Sequence, residues 1–346
     1  MTPRERVLAV LHGRKPDKVP FTIYENKIPQ CAVERRLRNE GLCIVNRRQS
    51  SVIQETPNCV QETLRYSENG QPRERTVIRT PVGEVSSIRQ PAEGTAWTLE
   101  KFFKRPEDYK VLHFFAQDTQ YRLNYEAFVE AEKWMGEDVI LRDSVGTCPL
   151  HDIMIHWMDV EIFSQEWAER RDEILKLEKV MREKLVKVFP LLANAPITHA
   201  GFSGNEVPEV MGPPRYKEFC IPLFNECAEV FHKKGKLLCT HLDGNNKPWA
   251  DAVAASGLDC IEAFTPAPDT DMTLAEALKV WPNKILWINF PSSVHLYSAA
   301  EIKQTTRELI AAAGETNRLI IGITENIPAD RWQESLSAIS EVINES

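Results

Sequence analysis

The second half of this chain repeats one pattern four times. "KLLCTHL" is followed by "NKPWADAVAASG", "DCIEAFTP" by "TLAEALKVWP", "KILWINFP" by "SAAEIKQTTRELIAAAG", and "RLIIGITE" by "PADRWQESLSAISEVINE". Each first member is a nearly unbroken apolar run, and each second member carries apolar residues at helical spacing. Strands apolar on both faces, alternating with helices, belong in a parallel sheet that the helices cover. No glycine-rich phosphate loop follows any of these strands, which speaks against an open dinucleotide-binding sheet. The pattern predicts an α/β fold, a closed (β/α)8 TIM barrel, with earlier strands near residues 19–24, 138–142 and 196–202.

The opening "TPRERVLAVLHG" reads as a helix capped by Thr2 and ended at Gly13. "TVIRTPVGEVSSI" alternates and breaks at Pro81 and Gly83 in the manner of a β-hairpin. Residues 31–110 are therefore expected to form an N-terminal helical and hairpin insertion, or lid, within a single barrel domain spanning 1–346. Residues 159–189 are spaced as a pair of amphipathic helices and 215–234 as another. No stretch approaches eighteen consecutive apolar residues, so no membrane span is expected. A net charge of −8 without a basic block argues against nucleic acid as a partner. The eight cysteines form no CxxC pair and sit mostly in apolar contexts. That usage suits a reducing, cytoplasmic compartment and not a disulfide framework.

In a barrel of this kind, chemistry takes place at the C-terminal ends of the strands. There the sequence puts His241 and Asp243, Glu262 and Thr265, Asn289, and Thr324, Glu325 and Asn326. Tyr24 ends the first strand, and Asn205 and Glu206 follow the strand expected at 196–202. Each has an ordinary explanation alone: a strand-terminal Asp or Asn caps the next helix, and a single histidine is commonly hydrogen-bonded structure. Capping accounts for only some of them. Glu262, inside an apolar run, needs a cation, a ligand or water beside it. His241 and Asp243 are two apart and share a strand face. With Glu325 they make an N,O,O set able to bind a divalent metal with positions left open; zinc, iron or manganese would accept it.

The layout resembles the uroporphyrinogen decarboxylase superfamily of (β/α)8 barrels, and most of all its cobalamin (corrinoid)-dependent methyltransferase branch. The segments that carry the likeness are "TPRERVLAVLHGRKPDKVPF", "TPVGEV" with "KFFKRPEDYKVL", "GNEVPEVMGPPRYKEFCIPLFNECAEVFHKKGK" leading into "HLDGN", and "NRLIIGITENIPADRW". Zinc-dependent members carry His-x-Cys after one strand and a further Cys at the end of the last. Here the histidine matches His241, the first cysteine falls on Asp243 and the second on Glu325. Both thiolates are thus replaced by carboxylates, which makes the site harder and suits a Lewis acid acting on oxygen better than activation of a thiol.

The resemblance implies transfer of a methyl group from a small O- or N-methylated substrate, such as an aryl methyl ether, to the corrinoid of a partner protein. No Asp-x-His-x-x-Gly corrinoid-binding segment stands in the chain. His241, Asp243 and Glu325 would be the catalytic and metal-holding residues. Tyr24, Asn205, Glu206, Glu262 and Asn289 would bind substrate, with Trp287 as an aromatic wall or as core. One alternative is a decarboxylase-like lyase acting on a carboxylated substrate, with His241 and the carboxylates doing acid–base work. The decarboxylase's arginine-rich signature is absent after the first strand, where "YENKIPQCAVERRLRNEG" stands, and an acidic mouth would repel a polyanion. A non-catalytic ligand-binding barrel is the other alternative.

Overall fold

Parallel strands need crossover helices between them, and the chain supplies them in turn. The computed structural model describes residues 1–92 and 95–345. Its barrel strands are β1 (Phe21–Tyr24), β2 (Leu42–Asn46), β3 (Val139–Leu141 continuing as Asp143–Gly146), β4 (His199–Phe202), β5 (Leu237–His241), β6 (Cys260–Phe264), β7 (Ile285–Asn289) and β8 (Leu319–Ile323). All neighbouring pairs are parallel, β1 closes onto β8, and the two halves of β3 pair with β2 and β4 respectively. The ring therefore has eight members, and β3 bends at Arg142. This is the expected (β/α)8 TIM barrel.

The strands are buried along nearly their whole length, as two-sided packing in a parallel barrel requires. Helices over Ala32–Glu40, Tyr125–Trp134, Ile221–His232, Ala250–Ala255, Leu274–Val280, Ala299–Ala313 and Trp332–Glu345 fall between or after the strands. Local chemistry sets their starts: Thr273 with Glu276, and Ser298 with Glu301, form reciprocal capping boxes. The opening helix, Pro3–Leu11, has the same device in Thr2 and Glu5. It puts Val7, Val10 and Leu11 into one core cluster with the inward residues Cys43, Val45, Ile140, Cys239 and Ile320. Trp287 is core, 1% exposed, and its indole N–H donates to Thr22 Oγ1 at 2.8 Å.

Two compact units result. The barrel unit is Met1–Ser51, Tyr125–Gly146 and Leu192–Ser346; the other is Val52–Asn124 and Thr147–Leu191. The insertion expected over 31–110 thus begins later, because residues 32–46 form a barrel helix and β2. It is also supplied by two stretches of chain. The second unit contains a four-stranded antiparallel sheet, Val60–Glu68, Gln71–Thr80, Gly83–Ala92 and Thr95–Glu100, whose middle hairpin turns at Pro81 and Val82. A two-stranded ribbon (Val52–Glu55 with Gln120–Leu123) and helices over Tyr109–Asp118, Val160–Glu169 and Arg171–Leu185 complete it. Among the described residues no helix is long and apolar enough to cross a membrane.

Candidate active site

Side chains alternate along a strand, so the registers β5 His241 opposite β6 Glu262, and Glu262 opposite β7 Trp287, put these residues on one interior face. His241 ends β5, its ring largely buried. Its Nδ1 lies 3.3 Å from Tyr24 Oη and 3.9 Å from Glu262 Oε2, and its Nε2 lies 3.6 Å from Asp243 Oδ2. One nitrogen turns inward, and the other turns toward the loop after the strand. Donor atoms of His241, Asp243 and Glu325 all lie within 4.8 Å of one another. Residues more than eighty positions apart thus offer an N,O,O donor set at one spot, which fits the coordination chemistry of a divalent cation with open positions.

Beneath this set lies a buried charge pair that the sequence reading did not single out. Arg142 Nη2 is 2.5 Å from Glu262 Oε2, and the two side chains are 6% and 1% exposed. The contact is close without being aligned as a hydrogen bond, so coulombic attraction binds the pair. Two unusual backbone features allow it. A Cβ on Gly201 would stand 2.4 Å from Arg142 Nη2, so the missing side chain leaves room for the guanidinium. After Glu262 the β6–β7 register shifts, and Ala263 adopts a left-handed φ of 58°. Such a bulge re-aims the neighbouring side chain at a backbone cost.

The charges follow from these neighbours. Burial pushes the Glu262 carboxyl up, but Arg142, then His241 and Tyr24, more than offset it and hold it at about 2. Burial opposes the His241 cation as well, yet Asp243 and Glu262 raise its pKa to about 9. Tyr24 is raised well above its ordinary value, by burial first and by Glu262 second. The Arg47 guanidinium sits 3.5 Å from the centre of the Tyr24 ring and pairs with Glu25.

Glu206 is 1% exposed, and neither carboxyl oxygen has a hydrogen-bond partner among the described residues. Burial raises it to about 7. It belongs to the same neighbourhood: a Cβ on Gly204 would meet His241 O at 2.2 Å and Glu206 Oε2 at 2.5 Å. Asn205, exposed and at φ 66°, ties this loop to β5 by donating its N–H to His241 O at 3.1 Å.

Asn289 is differently employed. Its Oδ1 accepts from Thr324 N at 2.9 Å, and its Nδ2 donates to Thr265 Oγ1 and Ser292 Oγ, both at 3.3 Å. It braces the ends of three strands. The structure thus gathers Tyr24, Glu206, His241, Asp243, Glu262 and Glu325, adds Arg142, and gives Asn289 a bracing contact network.

Residues 199–346 match the family described as uroporphyrinogen decarboxylase (URO-D). No curated protein matches the chain in sequence. Among solved structures, a methyltransferase from Methanosarcina mazei shares 12% identity over 100% of this chain and 99% of its own, with a TM-score of 0.59. At that identity the likeness establishes the barrel fold. An intracellular xylanase from Thermoanaerobacterium saccharolyticum, 10% identical over 96% of this chain and 97% of its own, has a TM-score of only 0.38.

Proposed function

We propose that the barrel mouth is the active site of a methyltransferase, a reading supported by the match of residues 199–346 to the uroporphyrinogen decarboxylase family. The donor is a small O- or N-methylated compound, an aryl methyl ether being the type best suited to a hard, oxygen-rich site. The acceptor is the corrinoid of a separate protein. The observation that carries this reading is the convergence of His241, Asp243 and Glu325.

Those three residues would hold a divalent cation, zinc or a harder ion such as manganese, which as a Lewis acid would stabilise charge on the atom that gives up the methyl group. The remaining residues bind and orient. The Tyr24 ring, braced by Arg47, forms one wall beside His241. Glu206, raised to about 7 and without a hydrogen-bond partner among the described residues, can when protonated donate a hydrogen bond to substrate. Glu262 is neutralised by Arg142 and supports His241 from behind.

One observation favours a second reading, a metal-independent lyase. His241 is held cationic between two carboxylates, and Glu206 titrates near neutrality, a pair suited to acid–base catalysis. A polycarboxylate substrate is disfavoured, because Glu262 already occupies the buried Arg142.

The test is direct. Protein supplied with Zn²⁺ or Mn²⁺ is mixed with cob(I)alamin and either 2-methoxyphenol or N,N-dimethylglycine, and the cobalamin spectrum is followed. Methylcobalamin formation that needs the metal and His241 is the expected result. Absence of methylcobalamin with both donors would count against methyl transfer.

A further inference from the structure

We infer that the buried Arg142–Glu262 pair is a positioning device for His241, fixing its ring so that Nδ1 faces the barrel interior and Nε2 faces Asp243. The inference rests on the reading of His241 given under Proposed function.

The pair calls for an explanation because it is not needed for stability. Two charges taken out of water each lose several kcal/mol of solvation, on the order of what their attraction returns, and apolar residues of like volume commonly do as well. Yet three features converge on making it. Arg142 stands at the bend of β3, its guanidinium fits because Gly201 has no side chain, and Glu262 is followed by a left-handed Ala263. What the arrangement accomplishes is visible at His241. Glu262 Oε2 and Tyr24 Oη stand 3.9 and 3.3 Å from Nδ1, while Asp243 Oδ2 stands 3.6 Å from Nε2. The ring is thereby held from behind.

Arg142 has a second consequence. A carboxylate at this depth would otherwise be free to join the donor set, but Glu262 stands 2.5 Å from the guanidinium. The donor set among the described residues comprises His241, Asp243 and Glu325 and leaves Glu262 out. A carboxylate behind a ligating histidine orients the ring, and its removal typically weakens metal affinity about 10–100-fold. Arg142 and Glu262 are thus positioning residues that act through His241.

The experiment compares the parent with the double variant Arg142→Met/Glu262→Gln, which removes both charges at similar volume, and with Tyr24→Phe. In metal-free protein labelled with ¹⁵N-histidine, NMR reads the Nδ1-bound proton of His241, assigned by its loss in His241→Gln. A slowly exchanging proton is expected in the parent, lost in the double variant and faster-exchanging in Tyr24→Phe. Zn²⁺ affinity, measured by chelator competition, should fall about 10–100-fold in the double variant. An unprotected proton in the parent, or unchanged protection and affinity in the double variant, overturns the inference. Should the double variant not fold, the parent decides alone: an unprotected Nδ1 proton overturns the inference. A parent that protects the proton but binds no metal removes the metal reading and leaves the positioning role standing.

Discussion

Arg142 Nη2 and Glu262 Oε2 meet 2.5 Å apart inside the barrel, one from the bend of β3 and the other from the bulge of β6. Neither charge can be removed alone without leaving its partner buried and uncompensated. Arg142→Met is expected to destabilise the fold by about 3–5 kcal/mol. The double variant Arg142→Met/Glu262→Gln should recover most of that loss. Urea unfolding of the single and double variants measures both; equal losses in the two would show that the pair is not the unit that matters.

Gly204 offers a purely steric test. A Cβ there would stand 2.2 Å from the backbone oxygen of His241, which cannot move without moving β5. Gly204→Ala should cost about 1–3 kcal/mol and displace His241 from its partners. Thermal unfolding together with a Zn²⁺ titration checks both parts. A variant with parental stability and affinity would mean that this loop yields freely.

Glu206 predicts a pH dependence in the metal-free protein. Its folded pKa, about 7, lies above the ordinary value of 4.5, so the folded state binds more protons between those values. Stability from this group is complete below about 4.5 and is lost as pH rises through about 7. The total is roughly 3 kcal/mol at about 1.4 kcal/mol per unit. Glu206→Gln lacks this dependence, so its stability advantage over the parent should grow from pH 5 to pH 8, give or take about one unit. A constant difference across that range would mean that Glu206 is hydrated in solution.

His241 predicts the pH dependence of metal binding. Its pKa, raised to about 9, means that a proton must leave before the ring can coordinate. Zn²⁺ affinity should therefore climb by up to about tenfold per pH unit until about pH 9, which calorimetry in two buffers of different ionisation enthalpy resolves. The same raised pKa stabilises the metal-free fold below about 6.5, and that contribution fades as pH passes through about 9.

Much of the barrel was legible because buried parallel strands leave an unambiguous trace. The runs at β5 to β8 are nearly unbroken apolar stretches, and the polar residues at their ends mark the mouth. β2 was hidden: "LCIVN" is five residues between "RRLRNEG" and "RRQ", too short for periodicity to separate it from its charged flanks. The insertion is therefore expected from residue 31, ahead of β2, and within its second stretch, 147–191, periodicity marks only the pair of helices over 159–189. Arg142 escaped notice because an arginine after "DVIL" looks like a strand end reaching solvent. A signal did exist. Glu262, embedded in "CIEAF", requires a cation, a ligand or water beside it, and Arg142 is a cation at the edge of another apolar strand. Asn289 is legible as a polar residue at a strand terminus, but its contacts with Thr324 N, Thr265 Oγ1 and Ser292 Oγ depend on neighbouring strands that periodicity does not align.

Metal binding by the purified protein tests the proposed site most directly. Isothermal titration with Zn²⁺ and with Mn²⁺, on parent, His241→Ala and Asp243→Asn/Glu325→Gln, reads stoichiometry and affinity together. One ion per chain in the parent, weakened by two orders of magnitude or more on loss of His241 and likewise in the double carboxylate variant, is the predicted result. No binding in the parent, or binding that survives both sets of substitutions, would contradict it.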